Sequence, residues 1–159
     1  MTELFQEVQA WPLSVFLRRS IWVYPLVNTL HLLGIALLIG GIVALDLRLL
    51  GLWRRVPVGP LARVLVPIAA AGLVLAAPMG ALLFLVRAAD YAALWLFQAK
   101  MALLVFALVN AVVIVRSKGW RRLQADPDAG ISPSLRIGAV ASLVTWLGVL
   151  TVGRLVGYA

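Results

Sequence analysis

Polar side chains interrupt two largely apolar stretches of chain: Asn28, His31, Asp46 and Arg48 in "NTLHLLGIALLIGGIVALDLRLLG", and Lys100 in "FQAKMALLVFALVNA". An ionisable group at the centre of a bilayer costs about 2.5–3.5 kcal/mol on insertion scales, so it is expected to face a partner, a cavity or a ligand. His31 suits three roles: a structural hydrogen bond, a metal or haem ligand through a ring nitrogen, and a relay for protons or solutes. It is the only His, and the chain has no Cys; thiolate metal sites, disulfides and Cys nucleophiles are therefore excluded. No nucleophile–base–acid set can be built around one His. There is also no Gly-rich phosphate loop, HExxH or GxSxG motif, so enzymatic readings without a cofactor fare badly.

Helical phase groups these residues. Positions about 3.6 apart return to one face of a helix, which sets Asn28 one turn above His31 and Asp46 on the same stripe, all three expected to point inward. At about 1.5 Å per residue, His31 lies roughly 15 Å and Lys100 roughly 12 Å inside the outer ends of their spans. Met79, beside the helix-distorting Pro78, falls at a similar depth. His31, Met79 and Lys100 are thus expected to share a layer in the outer half of the bilayer. An ammonium at that depth needs compensation. Since no acidic residue falls within a span at matching depth, a ligand's anionic group, hydrogen bonds with Asn28 or His31, or penetrating water is expected to supply it. Asp46 and Arg48 lie near the opposite end, where an ion pair or interface anchoring is expected. Met79 and Met101 also fit as ordinary gap-filling side chains.

The elements that must hold these residues follow from composition. Of 159 residues, 64% are hydrophobic and 13% charged, against about half and about a quarter in soluble domains. Such a chain reads as an integral membrane protein. Four segments, about 21–47, 62–86, 92–115 and 135–157, are long enough to cross the hydrocarbon core. The expected architecture is all-α: a four-helix bundle in one domain, 1–159, preceded by an amphipathic helix over 2–19 that lies along the outer interface with Pro12 as its bend. Small residues at four-residue spacing, Ala36, Gly40 and Ala44 in the first span and Gly72, Ala76 and Gly80 in the second, predict close helix contact. Trp22, Trp53, Trp95 and Trp120 sit near span ends as interfacial anchors do.

The formal charge of +8 does not point to nucleic acid, because most basic residues flank apolar runs instead of gathering on one exposed face. Arg48, Arg54, Arg55, Arg63, Arg116, Lys118, Arg121, Arg122 and Arg136 fall on one side; Arg18, Arg19, Arg87 and Arg154 fall on the other. That bias predicts both termini outside and loops 48–61 and 116–135 inside. The N-terminus has neither the basic start nor the cleavage site of a signal peptide, so the first span is expected to insert uncleaved.

The run "HLLGIALLIGGIVALDLRLLG" followed by "FQAKMALLVFALVNA" resembles an uncharacterised family of small bacterial four-helix inner-membrane proteins over most of the chain. More distantly, an early-helix His followed by small residues, with a Lys opening a later helix, is similar to the CopD copper-resistance membrane domain and the HemJ-type protoporphyrinogen oxidases. The distant likeness implies a four-helix unit with a haem or copper site in its outer half, the matching positions being His31 and Lys100. One His, three Met and no Cys make a thin donor set for copper. A b-type haem would take His31 as one axial ligand and Met79 or a small molecule as the other. Besides cofactor binding, two other functions fit the sequence. Asn28, His31, Lys100 and Asp46 could line a route for a small anion, a proton or a metal ion, most readily in a homo-oligomer; or the chain could be an accessory subunit packed against a larger membrane partner.

Overall fold

Long runs of Leu, Val, Ile and Ala, with no water to satisfy their backbone, leave the helix as the one local solution within a span. Among its described residues the computed structural model is accordingly 86% helical, with no strands. It describes residues 2–126 and 129–158, excluding the side chains of Thr2, Glu3, Leu4 and Val8. The part of the N-terminal amphipathic pattern carried by Glu3, Leu4 and Val8, and the acidic Asp128 of the last connection, lie outside that description.

Four helices are long and apolar enough to cross a membrane: α3 (Val23–Leu50), α4 (Val58–Val86), α6 (Trp95–Arg116) and α8 (Pro133–Val156). The chain is a multi-pass membrane protein by this architecture. Four crossings return the two termini to one side and put both long connections on the other. Short helices fill the ends: α1 (Thr2–Ala10), α2 (Pro12–Arg19), α5 (Ala88–Ala93) and α7 (Lys118–Ala125). Their boundaries follow local chemistry. The chain breaks at Trp11 because Pro12 cannot continue a helix but suits the first position of the next one. Helix α3 ends at Gly51, whose φ of 111° is the left-handed cap that a side chain disfavours. The Ser117 side chain caps α7 by accepting from the Trp120 amide at 3.1 Å.

Within the bundle α3 packs on α4, α8 on α6, and α3 on α8. Glycine makes the first of these contacts close. A Cβ at Gly34 would lie 2.6 Å from the Ala76 amide nitrogen, and one at Gly72 would lie 2.7 Å from the Gly34 carbonyl oxygen. The α4 stripe Gly72, Ala76, Gly80 therefore faces α3 as its spacing suggests. The α3 stripe is different: Gly34, Leu38 and Gly41 are buried there, while Ala36 and Gly40 are exposed and Gly40 has nothing within 4 Å. Two residues along a helix turn about 200°, so choosing Ala36 over Gly34 selects nearly the opposite face.

At mid-depth Trp146 of α8, 1% exposed, packs against Leu38 of α3, Ala69 of α4 and Ala107 of α6. All four long helices meet at this indole. At the end carrying the two long connections, Leu49, Val58, Ala62, Leu135 and Ala139 close over Trp120 and Leu123 of α7. Trp120 is thus a core residue at 5% exposure, whereas Trp22, Trp53 and Trp95 are 84%, 56% and 71% exposed. Residues 116–135 had read as loop; Ser117 and the two apolar residues three apart fold part of it into a helix that plugs the bundle. At the other end Phe84 stacks on Phe97 with centroids 5.1 Å apart, and Phe5 meets Phe84 edge-on at 6.1 Å, tying α1, α4 and α6 together.

Candidate functional site

His31 points from α3 into the notch left by Gly80 on α4. A Cβ added at Gly80 would lie 2.8 Å from the ring Cε1, so the missing side chain is what admits the imidazole. The ring Nδ1 is 2.8 Å from the carbonyl oxygen of Ala76. A carbonyl only accepts, so Nδ1 carries the proton and donates; in the neutral ring that leaves the Nε2 lone pair free. This is the arrangement that metal-binding histidines use, a backbone carbonyl on one nitrogen fixing the tautomer and orientation of the other.

Lys100 reaches from the first turns of α6 across α8, where Gly153 makes room for it. A Cβ there would sit 3.3 Å from Lys100 Cε and 3.5 Å from Nζ. The side chain is half-buried, and among the described residues no acceptor hydrogen-bonds it and no carboxylate pairs with it. The two residues that the sequence singled out are thus each seated on a glycine of another helix, His31 on Gly80 of α4 and Lys100 on Gly153 of α8.

The other candidates fall elsewhere. Met79 is partly buried in an apolar cluster with Leu17, Val27 and Val86, behaving as a gap-filler. Asn28 is exposed and makes no hydrogen bond among the described residues; one turn from His31 its phase has drifted off the buried face. Asp46 and Arg48 do not pair. Arg48 donates from Nε to the Val56 carbonyl oxygen at 2.6 Å and from Nη2 to that of Arg54 at 3.3 Å, tying down the connection between α3 and α4. Asp46, 4% exposed, turns into the bundle, where it and Ser142 line the same pocket. The one ion pair among the described residues is Arg87 with Asp90, 3.0 Å apart and exposed.

Sequence reasoning passed over three residues that shape the interior: Ser142, Trp146 and Asn110. Asn110 Nδ2 donates to the Gly138 carbonyl oxygen at 3.0 Å, bonding α6 to α8. A small polar residue inside a span, three to four positions from Gly or Ala, is the signal that could have found Asn110 and Ser142. No group of three or more His, Cys, Asp or Glu able to hold a metal ion occurs among the described residues. His31 would therefore serve as a lone protein ligand, which suits a cofactor bringing its own donors better than a bare ion. Compared with protein-family models, curated proteins and solved structures, the chain matches none of them.

Proposed function

We propose that this is a small bacterial inner-membrane protein that binds an anionic ligand, with haem b or a related porphyrin as the specific candidate, at His31 and Lys100 in the outer half of the bilayer. Two observations carry this reading: an imidazole whose Nδ1 is committed to the Ala76 carbonyl, and an ammonium that has no protein acceptor among the described residues. A buried or half-buried charge without a partner is costly; a propionate or other carboxylate compensates it. Haem, when bound, would supply redox or gas-binding chemistry at its iron. His31 would offer Nε2 to that iron, and Lys100 would hold a propionate. The packing of Met79 with Leu17, Val27 and Val86 argues against the thioether as a second axial ligand and leaves that position to a small molecule.

Orientation follows the basic bias, with both termini outside and loops 48–61 and 116–135 in the cytoplasm. Helices α1 and α2 then lie at the outer surface. In support, α2 buries Ser14 and Leu17 while Trp11, Leu13 and Phe16 are 53%, 46% and 58% exposed, a face suited to the lipid headgroup boundary. A homo-oligomer or a larger membrane partner is favoured by one specific feature, the small-residue face of α3 at Ala36 and Gly40, which the bundle itself leaves uncovered.

The optical spectrum of detergent-purified protein from haem-replete cells tests the cofactor reading. A Soret band that disappears or shifts in His31→Ala is expected. No band above background, or one indifferent to His31→Ala, refutes the haem assignment.

A further inference from the structure

Below the His31 layer the four long helices line a half-open pocket of about 180 Å³ whose wall is almost wholly apolar, contributed by residues such as Leu38, Leu65, Leu73 and Leu108. Only Asp46, Ser142 and Trp146 break that wall. Among the described residues, two of their polar atoms are buried without a hydrogen-bond partner, Asp46 Oδ2 and Trp146 Nε1. Leaving such atoms unsatisfied is costly, and native interiors rarely do so. One belongs to a carboxyl group on a residue 4% exposed, an acceptor when ionised and a donor when protonated; the other is an N–H donor on a residue 1% exposed. Both residues line that pocket.

We infer that this cavity is a second binding site, for a membrane-dissolved, hydroxyl-bearing small amphiphile of alcohol or phenol type. A hydroxyl satisfies both orphans at once, accepting from the Trp146 N–H and donating to Asp46 Oδ2. A cation would satisfy an ionised Asp46 but be repelled by the indole N–H; a ketone or halide would satisfy Trp146 and would reach Asp46 only in its protonated form, whereas a hydroxyl can donate to the ionised form or accept from the protonated one. The remaining volume and its apolar wall fit a small hydrocarbon body: a dry cavity of about 150 Å³ lined by similar side chains suffices for benzene in another protein. Entry is lateral. Helices α4 and α6 line the cavity but are not among the closely packed pairs of the bundle, so this seam faces the bilayer, where such a compound partitions. The site is separate from His31 and Lys100 and does not depend on the cofactor reading.

The test is ¹⁹F NMR of the protein in nanodiscs, with empty nanodiscs as the baseline, titrated with 4-fluorophenol and with fluorobenzene. Saturable binding of 4-fluorophenol is expected, with fluorobenzene weaker by about tenfold or more, the worth of two net hydrogen bonds to buried groups. Asp46→Leu and Trp146→Phe should each reduce that preference while leaving fluorobenzene binding in place. Equal affinity of the wild-type protein for the two probes would mean a purely apolar cavity and would overturn the proposal. So would an absence of saturable phenol binding, the result expected if water alone bridges Asp46 and Trp146. Both refuting results are read on the wild-type protein, so they stand even if a variant fails to fold.

Discussion

Lys100 carries the sharpest consequence at the scale of single residues. Its ammonium lies over Gly153 with no acidic partner among the described residues. In ligand-free protein Lys100→Met should therefore keep or raise the thermal midpoint, because an apolar side chain of similar length removes a desolvation cost. A clear fall in midpoint would mean that the amine holds the bundle together by itself. What sequence revealed about these residues was uneven, for a physical reason. His31 and Lys100 were legible because an ionisable group in an apolar run is expensive wherever it points. Asn28, Asp46 and Met79 were harder, since their roles turn on azimuth. Asn28 is exposed, Asp46 lines a pocket with Ser142 instead of pairing with Arg48, and Met79 packs among aliphatic side chains. A drift of some tens of degrees per turn, invisible in spacing, separates those outcomes.

Among the elements, the α3–α4 contact rests on glycine. A side chain at Gly72 would meet the backbone of Leu38 and Gly34, which cannot move aside without separating the helices. Gly72→Leu is expected to destabilise the fold by at least the 1–3 kcal/mol or so typical of overpacking. Gly40→Ala, with nothing within 4 Å, should be near neutral in the isolated bundle. Denaturant titration by circular dichroism in a mixed micelle measures both, and equal stability of the two variants would contradict this packing. The four spans themselves could be read from hydropathy to within a few residues, because length and apolarity alone decide them. Helix α7 could not. Its eight residues are held by the Ser117 cap and by burial of Trp120 and Leu123 under the bundle, and that tertiary contact leaves only a faint trace in a loop rich in Arg and Gly.

The whole molecule is four crossings closed at one end by α7 and at the other by an aromatic cluster, with two polar stations at different depths. Its orientation rests on the basic bias. A reporter fused after Tyr158 should be active outside the cell membrane, and one inserted at Arg55 should be active in the cytoplasm; the reverse pattern would invert the bundle and place His31 in the inner leaflet. The central claim, that His31 and Lys100 together hold an anionic cofactor, is tested most directly by titrating the nanodisc-embedded protein with hemin and with its dimethyl ester, which lacks free carboxylates. Hemin should give a saturable, one-to-one Soret shift that His31→Ala removes. Lys100→Met should weaken hemin by about tenfold or more, the size of one charge-assisted hydrogen bond, and leave the ester unchanged. No saturable shift, or a Lys100→Met variant that binds hemin and ester as the wild type does, would contradict it.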